Sequence, residues 1–170
     1  MTITLLRHGR TEYGVVDRFV GHGRDLAPLT RAGIADAERA ARSLAATPVD
    51  VIVSSPMTRA LQTAMIVGRR LDREVVVELD LHEWMPDGTQ RWHGPTVPAD
   101  AYDALRTAGG EWPPGTTPGW EPLSAVRQRA AAAIGRHDDD GDLLVVCHSV
   151  VIQALTGVAG CGHGEAVIYA

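Results

Sequence analysis

The stretch Thr2-Ile3-Thr4-Leu5-Leu6-Arg7-His8-Gly9 reads as an apolar strand running straight into a basic, titratable pair, and Leu143-Leu144-Val145-Val146-Cys147-His148 repeats that plan near the other end of the chain. Short, nearly continuous apolar runs of this kind suit strands buried on both faces, as in parallel sheets. Each run delivers a histidine to a strand end. In an open α/β sheet the carboxyl ends of the strands flank the crevice where ligands bind, and Arg7 beside His8 implies an anionic ligand. A phosphate-handling site is the reading that follows.

Working outward, Thr30 is an N-cap candidate for a helix over 30–46, with Ile34, Ala37, Ala41 and Leu44 as its apolar stripe and Pro48 at its exit. Residues 49–53 read as a second buried strand. Ser55-Pro56 reads as an N-cap with proline at the first helical position, opening a helix that carries Ala60, Leu61, Ala64, Met65 and Leu71. Val75-Val76-Val77 gives a third strand, 123–135 a further helix, and 150–158 the helix after His148. Residues 166–169 supply an edge strand. Strands separated by helices imply parallel pairing with helices on both faces. The expected fold class is therefore α/β, a three-layer sandwich with a mostly parallel central sheet.

Residues 83–122 break this rhythm. They hold all four tryptophans, Trp84, Trp92, Trp112 and Trp120, with seven of the ten prolines, a composition that predicts an irregular lid inserted over about 84–122. At 170 residues the chain is expected to be one domain, 1–170.

Composition excludes several classes of activity. All 16 basic residues are arginine, so a Walker P-loop lysine, a Schiff-base lysine and a pyridoxal-binding lysine are ruled out. A net charge of -5 without a long basic run argues against a nucleic-acid partner. Cys147 and Cys161 have no metal or redox spacing, and no apolar stretch approaches the ~18 residues of a membrane span. A cytoplasmic protein without membrane association is expected. His22, His82, His93, His137 and His163 follow no ligand pattern, so neither metal nor cofactor is expected.

Leu6-Arg7-His8-Gly9-Arg10-Thr11 resembles the signature of the histidine phosphatase superfamily, the group that includes the cofactor-dependent phosphoglycerate mutases. Leu29-Thr30-Arg31-Ala32-Gly33 looks like that family's helix entrance, residues 54–64 (SSPMTRALQTA) resemble its second signature, and Val145-Val146-Cys147-His148 its third. Leu81-His82-Glu83 stands where the family commonly places its proton donor. The resemblance implies a phosphoglycerate mutase-like fold, His8 as nucleophile, Glu83 as acid and base, and Arg7, Arg59 and His148 as phosphate ligands. It also implies that Arg18 and Gly21, in Asp17-Arg18-Phe19-Val20-Gly21-His22, frame the pocket.

Arg10, Ser149 and Trp92 are further candidates for substrate contact. Arg10 stands where the family usually has Glu or Gln, and either adds positive charge for a second anionic group or forms a surface ion pair. Ser149 replaces the usual Gly after the second histidine, and Gly14 the usual Asn. Trp92, with Arg91 and His93 between Gly88 and Gly94, is placed to close over a ligand. The implied activity is metal-independent hydrolysis of a small organic phosphomonoester through a phosphohistidine, releasing inorganic phosphate. The alternatives are a mutase-type isomerase, a protein-phosphohistidine phosphatase and a catalytically weak phosphate-binding regulator. A homodimer is left open as the assembled form.

Overall fold

Alternation along the strands sorts the core into two halves. In the computed structural model, which describes residues 1–11, 21–88 and 97–170, the strands are β1 (Ile3–Arg7), β2 (Val51–Ser54), β3 (Val75–Val77), β4 (Leu143–Cys147) and β5 (Ala166–Ile168). They form one sheet in the order β3-β2-β4-β1-β5. The first four are mutually parallel, and β5 runs antiparallel to β1 at the edge. The helices are α1 (Arg31–Ser43), α2 (Thr58–Leu71), α3 (Val97–Thr107), α4 (Leu123–Gly135) and α5 (Ser149–Thr156).

Leu5, Val53 and Val145 join the apolar cluster that takes in Val126, Ala130 and Ala133 of α4 and Val151 and Ile152 of α5. Their neighbours in sequence, Leu6, Ile52, Leu144 and Val146, join the other cluster, with Ala40 and Ala41 of α1 and Ala60, Ala64 and Val67 of α2. Period-two alternation therefore builds helix, sheet and helix layers. The expected α/β sandwich is the observed one, and each fully buried leucine in it contributes about 1.5–3 kcal/mol of hydrophobic stabilisation.

Element boundaries differ from expectation in two informative places. Ser55 does not cap α2: Met57 occupies that position, and the Ser55 hydroxyl accepts from the Met57 N–H instead. Among the described residues of the 84–122 stretch, α3 gives regular structure over Val97–Thr107 with Leu105 buried. Pro98 falls in the first turn of α3, where a missing N–H costs nothing. Trp84 and Trp120 are buried members of the α4/α5 cluster rather than surface flaps. The indole N–H groups tie the stretch together, Trp84 donating to the Glu121 carbonyl and Trp112 to that of Trp120.

Thr30 caps α1 as the sequence implies, its hydroxyl accepting from the Gly33 N–H at 3.0 Å. Here α1 presses on the loop after β1. A Cβ on Gly33 would overlap the Arg10 carbonyl, and one on Gly9 the Gly33 carbonyl. Gly33→Ala is expected to cost about 1–3 kcal/mol through forced separation of the two backbones. Gly135→Ala, where an added methyl meets nothing within 4 Å, is expected to be neutral or stabilising by up to about 1 kcal/mol. Urea midpoints of the two variants against the parent check the pair.

Candidate active site

Parallel pairing brings four strand ends to one edge of the sheet. Arg7 lies opposite Cys147 in the β1–β4 register, so the next residues, His8 and His148, emerge side by side, with ring centroids 5.1 Å apart. Ser54 lies opposite Val146 across β2–β4, which puts Ser55 next to His148. A hydrogen bond of 2.7 Å links its hydroxyl to His148 Nε2. After β3 the Glu78 N–H donates to the Ser54 carbonyl, and a short 3₁₀ turn over Leu79–Leu81 leads to Glu83.

His8 is buried and held at both ring nitrogens. Nδ1 stands 2.7 Å from the Gly9 carbonyl, which can only accept, so Nδ1 carries the proton. Nε2 receives the Arg59 Nε–H at 3.3 Å and therefore presents its lone pair. The peptide that orients Nδ1 is itself fixed: the Gly9 N–H donates to the Thr63 hydroxyl, which donates to the Arg59 carbonyl one turn back along α2. Burial, then the charges of Arg59 and Arg7, push the His8 pKa well below its ordinary value, and the Gly9 contact only partly opposes them. The imidazole is neutral at neutral pH.

Arg59, Arg7 and His148 supply the polar groups near His8. Arg59, buried near the start of α2, spends its other nitrogens on the Arg24 carbonyl at 2.8 Å and the Met57 sulfur at 3.1 Å. A thioether is a weak acceptor, easily exchanged for a phosphoryl oxygen. Arg7 Nε and His148 Nδ1 are buried and have no partner among the described residues. The Ser55 hydroxyl accepts from Met57 N–H and is free to donate to His148 Nε2, favouring a proton on Nδ1. Burial and the Arg59 charge hold the His148 pKa well below its ordinary value. His148 is also the N-cap of α5, so the unpaired first-turn N–H groups of that helix begin beside it.

Glu83 is half-buried, with Oε1 accepting from the Trp84 N–H at 2.9 Å. Burial raises its pKa, and the nearby charges of Arg59, Arg7 and Arg129 offset this only in part. Its loop is held by Arg129 of α4, which donates to the carbonyls of Asp80 and His82 and pairs with the Glu121 carboxylate at 2.7 Å.

Arg7, His8, Arg59 and His148 stand at the strand ends, and Glu83 lies within electrostatic reach of Arg59 and Arg7. Ser149 opens α5 beside His148, and Gly21 opens a 3₁₀ helix over Gly21–Leu26. Arg18 and Trp92 lie outside the described residues, as do Gly14, Arg91 and His93. Arg10 is committed elsewhere: Nε and Nη2 grip both oxygens of the buried Asp36 carboxylate at 2.8 and 2.9 Å. Its pairing is the reason it does not serve as a free anion contact, and with the Arg10 backbone N–H it holds Asp36 far below the usual carboxylate range. Sequence reasoning did not single out Ser55, Thr63, Arg129 or His163 as site residues. His163 Nε2 stands 3.1 Å from Arg7 Nη2, and its ring centroid lies 5.5 Å from that of His8. Among the described residues no cluster of three or more histidine, cysteine or carboxylate side chains could hold a metal, and no helix is long and apolar enough to cross a membrane.

A mostly parallel sheet with histidines at two adjacent strand ends and an arginine-lined edge defines a class. The chain belongs to the histidine phosphatase superfamily, branch 1, whose family model matches residues 3–165. It is 32% identical over 162 residues to the adenosylcobalamin/alpha-ribazole phosphatase of Salmonella typhimurium, covering 91% of this chain and 77% of that one. A mycobacterial glucosyl-3-phosphoglycerate phosphatase superposes with a TM-score of 0.69 at 28% identity, covering 91% and 76% of the two chains. The alpha-ribazole phosphatase of Shigella flexneri gives 0.69 at 25% identity, covering 99% and 89%. These relatives are phosphatases, consistent with a phosphoric monoester hydrolase.

Arg129 and Glu121 are both largely buried, with side-chain exposures of 14% and 9%, so removing one partner strands the other's charge. Arg129→Met is expected to destabilise the fold by about 3 kcal/mol or more, and adding Glu121→Gln is expected to restore part of that. Guanidinium unfolding of the single and double variants measures the difference.

Proposed function

We propose that this chain is a metal-independent phosphatase that hydrolyses a small organic phosphomonoester through a phosphohistidine formed on His8. The observation that carries this reading is the geometry of the His8 ring, with Nδ1 2.7 Å from the Gly9 carbonyl and Nε2 receiving the Arg59 Nε–H at 3.3 Å. A lone pair directed at a fixed cation is a nucleophile waiting where the charge of a phosphoryl group would be neutralised. Arg7 Nε and His148 Nδ1 supply two further buried donors for its oxygens.

In the first step His8 Nε2 bonds to phosphorus as the ester P–O bond breaks, and the departing alkoxide takes the proton of Glu83. In the second, the Glu83 carboxylate accepts a proton from water as its oxygen bonds to phosphorus. The N–P bond breaks, and inorganic phosphate leaves with His8 neutral again. Glu83 suits the first role because burial keeps its carboxyl protonated to higher pH than usual. Named relatives act on alpha-ribazole and glucosyl-3-phosphoglycerate compounds, which supports a small phosphorylated metabolite as the substrate class. Positive charge from the Arg7 and Arg59 guanidinium groups, with the His148 imidazole N–H as a further donor, takes the place a metal would otherwise fill, and activity is expected to survive exhaustive chelation.

His8→Ala is expected to abolish both acid-labile label transfer from substrate and turnover, the latter by at least about a thousandfold. Label accumulating on the variant would overturn the assignment. The pH sign follows from the two shifts. The lowered His8 pKa keeps the nucleophile available as pH falls, whereas the raised Glu83 pKa preserves the acid at low pH and loses it as pH rises. Turnover of an alkyl phosphate is expected to decline on the alkaline side. Glu83→Gln is expected to be slow and flat there, with aryl phosphates, whose leaving groups need no proton, much less affected.

A further inference from the structure

The turn between α5 and β5 is built around Arg7. Cys161 accepts from Arg7 Nη1 through its carbonyl, the Gly164 N–H donates to the Arg7 carbonyl at 3.0 Å, and the Arg7 N–H donates to the Glu165 carbonyl at 3.0 Å. Gly164 reaches this position in the left-handed region, at φ 69°, pressed against the Asp36 backbone. Within the turn, His163 Nε2 meets Arg7 Nη2 at 3.1 Å.

A guanidinium has donors only, so this contact exists only while His163 Nε2 is unprotonated. With Nη1 on Cys161 and Nη2 on His163, the guanidinium plane is held from one side, and Nε is left without a partner among the described residues. We propose that His163 is a positioning residue for this phosphatase site: as a neutral acceptor it holds Arg7 in its phosphate-binding orientation, and its protonation in acid releases Arg7 and weakens phosphate binding. The inference rests on the phosphatase reading given above.

Protonation would turn the acceptor into a second donor facing a donor, with two cations 3.1 Å apart. The other groups around His163 set when this happens. His8 stands on the β1 side at 5.5 Å between ring centroids. From the α1 side Arg39 donates to the His163 carbonyl at 3.5 Å, and Asp36 is engaged by Arg10 and Arg39. Glu165 in the same turn is occupied by the Gly162 N–H. Burial and then the Arg7 charge lower the His163 pKa, while Asp36 opposes them, so the neutral, holding form prevails at neutral pH.

His163→Asn retains an oxygen acceptor that cannot be protonated, and His163→Ala removes the acceptor. The measurements are kcat and KM for p-nitrophenyl phosphate, with binding of inorganic phosphate by calorimetry, from about pH 5 to about pH 8. At neutral pH His163→Asn is expected to remain within about threefold of the parent. His163→Ala is expected to raise KM and the phosphate Kd by about tenfold, the loss of one hydrogen bond to a charged group, with kcat less changed. The parent-to-Asn affinity ratio is expected to fall as pH drops, because only the parent's position 163 takes up a proton, while ionisation of phosphate and of His8 cancels in that ratio. A ratio flat with pH, or parental KM and Kd in His163→Ala, overturns the proposal. Turnover by the parent that does not depend on His8 would sink the phosphohistidine reading instead, and calorimetry still reads His163 independently of it.

Discussion

The β1–β4 register is the constraint on which the site depends. Arg7 opposite Cys147 makes His8 and His148 the first residues beyond two adjacent parallel strands, and the ladder continues past them, with the His8 N–H donating to the Cys147 carbonyl. A one-residue slip would exchange the faces reached by Leu5 and Leu6, moving each into the wrong half of the core. The hydrophobic pattern thus fixes the spacing of the two histidines. Neither imidazole needs to contribute to that choice, which leaves both free for chemistry.

The second requirement is that positive charge be collected at the strand ends. The chain carries a net charge of -5, yet Arg7 and Arg59 meet carbonyls, a histidine nitrogen and a sulfur in the contacts described here. Asp36 is engaged by Arg10 and Arg39, and Glu121 by Arg129. Carbonyls, a histidine nitrogen and a sulfur help hold the two guanidinium groups in place, while burial together with the Arg59 charge keeps His8 and His148 unprotonated. The proposed nucleophile and the proposed anion cradle arise from one arrangement.

Much of this was legible in the sequence because strands and their ends are local. The apolar runs of β1 and β4 state both the fold class and the places where His8 and His148 must stand, and the Thr30 cap follows from one side chain and the helix after it. What was not legible depends on partners distant in sequence. Arg10 is ambiguous until Asp36 packs beneath it. Ser55 looks like a helix cap until His148, 93 residues later, takes its hydroxyl. His163 showed no signal because its partner lies 156 residues away at the other end of the chain. In the 84–122 stretch, proline and glycine suggested irregularity, whereas burial of Leu105, Trp84 and Trp120 against α4 and α5 organises much of it.

Glu83 shows how position and acidity can be separated. A carboxyl that must donate a proton cannot be anchored by a close salt bridge, since an adjacent guanidinium would lower its pKa and empty it of that proton. The structure anchors the backbone instead. Arg129 grips the carbonyls of Asp80 and His82 and reaches that of Glu83, while its charge is balanced by Glu121 rather than by the acid itself. Glu121 in turn accepts the Met85 N–H, and its carbonyl takes the Trp84 indole, closing the loop from the other side. The loop is fixed by an ion pair in which the catalytic candidate takes no part, so Glu83 keeps both its place and the raised pKa that burial confers.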